Sequence, residues 1–385
     1  MQRLLMIILL SSSIIFILSC SGKNQNKDKN QVPEIFLTVS SNIKNTFPQI
    51  LKKNYKGKEI DALFNNLTTE GNEFCKMLYG EKTFNMVKAQ KFIEKSQINL
   101  FRKMAVKGTI QTLIAGCWNF FVLNDSEPNL DFILVKNLYP KEKFDCFSVG
   151  MLQPYMMHNA MGCQTLTMLD IDWRILDGHR QLIKLFNKKL FQNIEKINII
   201  LKKMTLGWVA FSKPLLPKQP VNLHMLCQAY QHSLCKAEIK KFQENYHTIN
   251  AIHLNLAGLH GGSYIKSQKE NTIVVFLSNA IEKYYCTQEQ FNQIITRIGN
   301  KLGKHDKAVL IYHVGGNPQR GIYEIRKNNN NNIISTVCKD IYMSDTVGGK
   351  ISKPYLTYLD HASNTKKGFP SCNTIMQQFK RKQTK

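Results

Sequence analysis

The sequence predicts an α/β fold built on a mostly parallel β-sheet, and two observations indicate it. From residue 144 onward, short apolar segments alternate with longer segments of helical periodicity. The short segments are almost continuously apolar, which is typical of parallel strands whose two faces are both covered. Strands and helices that alternate in this way form a sheet with helices packed on both sides.

The predicted elements follow one another along this part of the chain. We expect five strands with helices between them, and then two further strands that flank an asparagine-rich loop at 328–332. A helical insertion is predicted at about 205–250, where proline-rich and helical material breaks the alternation. The strands are 145–149, 165–169, 251–256, 272–277, 308–314, 322–326 and 334–342, and the main helices are 174–204 and 287–302.

Two flanking segments complete the predicted organisation of the folded part. Residues 34–143 carry helical periodicity punctuated by lysine, and we expect a helical N-terminal section there. The α/β domain itself is predicted over 144–345. Residues 346–385 follow as a C-terminal extension with a basic tail.

Polar residues and a glycine follow several of the predicted strands directly. Gly150 comes after the first strand, Asp170 ends the second, and Ser278 and Asn279 follow the fourth. A glycine turn lets a ligand approach the backbone, and an acid after the second strand can accept hydrogen bonds from ribose hydroxyls. Residues 313–318, which begin with His313, lie at the end of the fifth strand, where open α/β sheets place ligands.

The second strand and the segments around it resemble those of class I S-adenosylmethionine-dependent methyltransferases. The second strand of that family often ends in a phrase like the Leu-Asp-Ile-Asp of residues 169–172, and residues 272–285 and 308–314 resemble its fourth and fifth strands. The resemblance covers about 144–345 and implies a Rossmann-like fold. The family's Gly-x-Gly-x-Gly loop is degenerate here, because residues 150–162 open with a single glycine followed by proline and bulky side chains.

The resemblance also implies roles for individual residues. Gly150 would form the loop turn, Asp170 would contact the ribose, and Ser278 and Asn279 would lie at the edge of S-adenosylmethionine, the cofactor it implies. It gives no catalytic residue. The residues alone allow a simpler interpretation, in which Asp170 and Asp172 cap a helix and Gly150 is an ordinary turn.

The first residues have the pattern of an export signal. A single arginine precedes the apolar run 4–18, which is shorter than the roughly 20 residues that a membrane-spanning helix needs. Residues 17–20, Ile-Leu-Ser-Cys, resemble the lipobox of bacterial lipoproteins, in which the cysteine is acylated and becomes the new N-terminus. We therefore predict a signal peptide over 1–19, an acylated (palmitate-bearing) Cys20 and a polar tether over 20–33. An ordinary cleaved signal and an uncleaved anchor helix are the alternatives.

Composition narrows the classes of partner. The 52 Lys and Arg against 27 Asp and Glu give a net charge of +25 that is spread along the chain, unlike the clustered basic face of a nucleic-acid binder. A solvated basic surface near anionic lipid is the expectation, and no nucleic-acid partner is expected. The spacing of His224, Cys227, His232 and Cys235 is too long for one metal ion if they lie on a helix, so no metal site is predicted.

Cysteine usage bears on the compartment. The chain has ten cysteines, so an acylated Cys20 leaves an odd number in which at least one is unpaired. Cys117 and Cys146 lie in apolar runs and are predicted to be small buried hydrophobic residues. Motifs for hydrolase nucleophiles and phosphate loops are missing from the sequence.

Together these patterns predict a lipoprotein of the bacterial cell envelope, on the periplasmic or outer-membrane side. Its lipid partner is the bilayer, reached through Cys20, and its α/β domain is expected to bind rather than catalyse. The alternative is a membrane-tethered methyltransferase dependent on S-adenosylmethionine.

Overall fold

The computed structural model describes part of the chain, and all of the described residues lie in one compact unit, Pro33–Lys385. The predicted signal, Cys20, the tether and the His224–Cys235 segment lie outside the described residues. The described residues are 34–39, 54–55, 125, 127–170, 175–180, 182, 237–242, 248–253, 262–267, 271–281, 286–303, 306–313, 320–328, 331–340, 357–363 and 368–383.

The described strands form a single mixed sheet that is mostly parallel. Their order across the sheet is β2-β1-β5-β4-β3-β6-β7-β8-β9. Every neighbouring pair from β1 to β7 is parallel, whereas β2 and the hairpin of β8 and β9 add antiparallel pairs at the two ends. The strands are β1 Glu34–Val39, β2 Asn54–Tyr55, β3 Phe144–Ser148, β4 Thr165–Asp170, β5 Thr248–His253, β6 Thr272–Ser278, β7 Lys307–His313, β8 Arg320–Asn328 and β9 Asn331–Asp340.

The continuous apolar runs have the burial that the sequence predicts. Every residue of β3 and β6 is buried, as is all of β7 after Lys307. Helix packing covers them: for example, the ring of Phe132 meets that of Phe276 edge to face at 5.2 Å. The α/β class with a mostly parallel sheet is therefore confirmed. The described helices are α1 Pro128–Leu138, α2 Gln153–Met161, α3 Gln288–Gly299, α4 Tyr358–Ala362 and α5 Cys372–Gln383.

Local signals account for the start of α3. Thr287 accepts a hydrogen bond from the backbone of Gln290, and the Gln290 side chain accepts one from the backbone of Thr287, at 3.2 and 2.8 Å. This capping box satisfies two amides that would otherwise lack partners at the helix start. The helix begins one residue after the position predicted from periodicity.

Two predicted boundaries are wrong at the end of the sheet that β2, β1 and β5 form. The section 34–143 is not wholly helical, because β1 pairs in parallel with β5 and β2 pairs with β1. Strand β5 begins at Thr248, inside the predicted insertion. The partners β1 and β5 are distant in the sequence, so no local periodicity can reveal their pairing. Helical residues at 237–242 agree with the helical character predicted for the insertion.

Two disulfides tie elements together within the described part. Cys146 of β3 bonds to Cys163, which follows α2, and Cys338 of β9 bonds to Cys372, the first residue of α5. The prediction that Cys146 is merely a small hydrophobic residue is therefore wrong: it is buried, but crosslinked. Gly162, with φ of 66°, ends α2 and turns the chain so that Cys163 comes back toward β3.

Candidate functional site at the carboxyl edge of the sheet

The connections between the central strands reverse direction at one place in the sheet. From β3 the chain moves outward to β4 and then β5, and it later returns to the other side of β3 to form β6 and then β7. In open α/β sheets, ligands bind outside the carboxyl ends of the strands at such a point. Gly150 follows β3 here, and Ser278 and Asn279 are found at the end of β6.

On the β3–β4 side, the predicted residues contact one another directly. The backbone N–H of Gly150 donates to Asp170 Oδ2 at 3.1 Å. The carbonyl oxygen of Gly150 lies 3.0 Å from His179 Nε2, and His179 Nδ1 lies 2.6 Å from the hydroxyl of Tyr155. Two of the four predicted site residues are thus joined by a hydrogen bond.

The imidazole of His179 is neutral at physiological pH. Complete burial lowers its pKa to about 4, and the hydrogen bond to Gly150 offsets only part of that effect. A neutral ring carries one N–H, and the carbonyl of Gly150 can only accept. The proton therefore lies on Nε2, and Nδ1 accepts from the hydroxyl of Tyr155.

The first turn of α2 closes over Gly150. Gly150 has φ of +89°, a region in which glycine is favoured, and a Cβ added there would lie 2.7 Å from Gln153 Cδ. The Gln153 side chain accepts from the backbone of Leu152 at 3.1 Å and donates to Asp125 Oδ2 at 2.8 Å. Space that a ligand would need beside the glycine backbone is taken by this side chain.

On the β6 side, Ser278 joins the same network. Its hydroxyl donates to Asp125 Oδ1 at 2.7 Å, and its φ of 47° is unusual for a residue with a side chain. The pairing of β6 with β7 is irregular between Phe276 and Ser278, which accompanies this conformation. Asn279 lies in the turn that follows.

Charged side chains are buried together where β7 ends and β8 begins. His313 Nε2 lies 2.6 Å from Asp131 Oδ2, and its Nδ1 is 3.9 Å from Asp125 Oδ1. Arg320 Nη1 approaches Asp131 Oδ1 at 3.1 Å without hydrogen-bond geometry, and Arg320 Nε donates to Asp340 Oδ2 at 3.0 Å. The aspartates therefore face cations rather than solvent.

This environment favours the protonated form of His313. Burial alone would lower its pKa, but the hydrogen bond and negative charge of Asp131, with the charge of Asp125, raise the pKa above its ordinary value. The pKa of Arg320 is also raised, since Asp131 and Asp340 outweigh its burial. Three carboxylates and two cations make up the cluster, and their mutual compensation is what permits burial.

The structure thus brings Gly150 and Asp170 into contact and links Ser278 to them through Asp125 and Gln153. For Asn279 it gives only a position at the same edge. Residues that sequence reasoning missed are Asp125, Asp131, Gln153, His179 and Arg320. A glycine just before a predicted helix could have indicated a close contact with the helix start, but nothing local to Asp125 or Asp131 indicates their partners.

These residues do not fit S-adenosylmethionine as they stand. The atoms that would meet the cofactor in the resemblance, the Gly150 amide and an Asp170 oxygen, are engaged with each other. The bulky neighbours Leu152, Tyr155 and Met156 are buried in the core. A cofactor would have to displace the Gln153 side chain to lie along the glycine backbone.

Comparison with protein-family models finds no match for this chain, and comparison with curated proteins finds none. Within the described ranges, no helix is both long enough and apolar enough to cross a membrane. Nor do the described His, Cys, Asp and Glu side chains form a group of three or more that could hold a metal ion.

Proposed function

We propose that the chain is a membrane-anchored lipoprotein of the bacterial envelope whose domain acts by binding and carries out no chemistry. The observation that carries this proposal is the pair of disulfides, Cys146–Cys163 and Cys338–Cys372. Disulfides persist in oxidising compartments outside the cytoplasm and are rare within it. They support the export that the leader 1–19 predicts, with the folded domain on the periplasmic or outer-membrane side.

Acylation of Cys20 would hold this domain at the bilayer. Each buried methylene of an acyl chain contributes about 0.8 kcal/mol, and stable anchoring takes more than one chain or a chain with a basic partner surface. The net charge of +25 would add attraction to anionic headgroups. The anchor therefore needs no apolar surface on the folded domain.

The central strand order supports the finer description of the domain as Rossmann-like and methyltransferase-like. Counted from β3, the strands β5-β4-β3-β6-β7 follow the order 3-2-1-4-5 of doubly wound dinucleotide-binding sheets. The closed loop at Gly150 supports binding without S-adenosylmethionine chemistry, because the domain's own side chains fill that place. On this proposal, the domain retains the Rossmann-like fold but no longer binds the cofactor.

The alternative is a membrane-tethered methyltransferase that uses S-adenosylmethionine. The observation in its favour is that Gly150 and Asp170 lie together at the point where the strand connections reverse. It requires Gln153 to swing away and the Gly150–Asp170 hydrogen bond to break when the cofactor binds. It also requires a cofactor supply at the membrane face where the domain lies.

The anchor is tested by the intact mass of the full chain purified from membranes of a bacterial host. We expect the loss of residues 1–19 and the added mass of acyl chains on Cys20. The matched control, Cys20→Ala, should keep its leader and carry no acyl group. A wild-type chain with an intact leader and an unmodified Cys20 thiol would overturn the proposal.

The compartment is tested on the same material with a thiol-alkylating reagent under denaturing conditions. Without reductant, we expect Cys286, a buried thiol, to be alkylated and the four disulfide cysteines to be protected. After reduction, all five should react. Alkylation of Cys146 or Cys338 before reduction would place the domain in a reducing compartment.

A further inference from the structure

A cleft of about 500 Å³ lies between α3, the start of β9 and the end of α4. This volume is within the range of roughly 300–1,000 Å³ that small-ligand sites occupy. The start of β9 pairs with the end of β8, and Arg326 of β8 pairs with Lys307 at the start of β7. The cleft is therefore at the amino edge of the sheet, opposite the candidate site described above.

The floor of the cleft is apolar and its rim is polar. Phe291, Ile295 and Ile334 form the floor and are buried. The rim consists of four carboxamides and one hydroxyl, and among the described residues that line the cleft none is charged. The rim residues are Asn292, Thr296, Asn300, Asn331 and Asn332.

Specific contacts hold some of these carboxamides in place. The side chain of Asn332 lies against the α-carbon of Gly299, so that a Cβ at this position would overlap it. A glycine within a helix costs roughly 1 kcal/mol relative to alanine, and here it makes room for the carboxamide. Gln288 donates to Asn292 Oδ1 at 3.0 Å, an exposed hydrogen bond that involves a second carboxamide on the rim.

We propose that this cleft binds a neutral saccharide. Each carboxamide offers both a donor and an acceptor, which matches hydroxyl groups that donate and accept in turn. The C–H face of a sugar ring can pack on the exposed edges of Ile295 and Ile334, whereas Phe291 is fully buried and supports them from below the surface. The chain has a net charge of +25, yet the described residues that line the cleft are all uncharged, which favours a neutral ligand over an anion.

Calorimetric titration of the full chain with chitotriose and maltotriose tests this proposal. The chain is solubilised in an amine-oxide detergent, since a maltoside would compete for the cleft. We expect saturable binding of at least one trisaccharide, weakened at least tenfold by the double change Asn300→Ala and Asn332→Ala. Thr296→Trp, which fills the cleft from the exposed face of α3, should abolish binding without touching the sheet.

Two comparisons make the result specific. Gln293→Ala changes an exposed side chain of the same helix that does not line the cleft, and it should bind as the wild type does. Any binding of a sulfated heparin tetrasaccharide should be equally tight for all variants, because the cleft does not contribute to it. The proposal is overturned if neither trisaccharide binds, or if Thr296→Trp binds them as tightly as the wild type. Neither result bears on the acylation of Cys20, which is measured separately.

Discussion

Asp131 and Asp145 are both fully buried, and they stand at opposite edges of the sheet. At the carboxyl edge, Asp131 faces His313 and Arg320, two groups that carry positive charge. At the amino edge, Asp145 accepts hydrogen bonds from Thr165, Ser267 and Asn271, at 2.7, 2.9 and 3.2 Å, and all three donors are neutral.

The two edges therefore stabilise a buried charge in different ways. Neutral groups donate the described hydrogen bonds to Asp145, and removing its charge weakens these bonds without leaving any of the three donors as an unpaired charge. Counter-charges compensate Asp131, so removing it leaves a buried cation without its partner. Charge compensation that relies on several elements is a demanding arrangement, and in this molecule it is concentrated at the edge where α/β sheets bind ligands.

The largest expected effect compares the two aspartates directly. Asp131→Asn should lower the free energy of unfolding by about 3–5 kcal/mol, because Arg320 and His313 lose the charge that they face. Asp145→Asn should cost about 1–2 kcal/mol, because the amide can still accept from two of the three donors. Denaturant unfolding of both variants measures the difference, and an equal or larger loss for Asp145→Asn would contradict the distinction.

The next effect depends on pH and concerns His179, whose described hydrogen-bond partners, Tyr155 and Gly150, are neutral. Its pKa of about 4 is below the ordinary 6.5, so the unfolded chain binds a proton that the folded chain does not. Its contribution is therefore fully present above pH 6.5 and is lost as pH falls toward 4, by about 3 kcal/mol. We expect the free energy of unfolding of the wild type, relative to that of His179→Gln, to decrease by this amount as the pH falls across this range.

His313 should behave in the opposite sense, because anions surround it. Its pKa is raised in the fold, so its contribution is fully present below the ordinary pKa of 6.5 and is lost as pH rises through the folded value. Nuclear magnetic resonance of histidine-labelled protein separates the two rings. A His179 signal that titrates at or above pH 6.5, or a His313 signal that titrates below it, would contradict the comparison.

A smaller effect tests how tightly the loop after β3 is closed. Gly150→Ala meets both a strained backbone and the Gln153 side chain, whereas Gly162→Ala has a positive φ and no atom within 4 Å of the added Cβ. The left-handed backbone costs both variants about 1–2 kcal/mol. The free energy of unfolding of Gly150→Ala should be lower by about another 1–3 kcal/mol, because the added methyl group overpacks the loop. Equal losses in thermal unfolding would mean that the loop has room beside Gly150.

The smallest expected effect is at the amino edge, where Glu142 is partly exposed. It accepts from Lys307 and Thr272, each at 2.7 Å, and the hydrogen bond from Lys307 is the main reason that its pKa is lowered. Solvent screens this pair, so Glu142→Gln should cost less than about 1 kcal/mol. A loss comparable to that of Asp131→Asn would show that the loss does not depend on how exposed the carboxylate is.

The sequence predicts those parts of the fold that depend on local pattern. Strands β3, β4, β6 and β7 lie within one residue of their predicted bounds, since each is a short and largely buried segment bounded by polar residues or glycine. Strand β1 was missed because its parallel partner β5 comes much later in the chain. Pairing of that kind depends on tertiary packing.

The candidate site divides in the same way. The positions of Gly150, Asp170 and Ser278 at the carboxyl edge could be predicted because each residue ends or follows a recognisable strand. Asp131 could not, because its charge has meaning only beside His313, which is 182 residues away in the sequence. Gln153 could not be predicted either, since its role depends on the space beside a glycine that no pattern records.

The Gln153 side chain fills the place beside Gly150 where S-adenosylmethionine would lie, and a calorimetric titration of the full chain with this cofactor tests that most directly. We expect no saturable heat up to millimolar cofactor, in the wild type and in Asp170→Ala alike. Saturable binding to the wild type that Asp170→Ala abolishes would contradict the claim and favour the tethered methyltransferase.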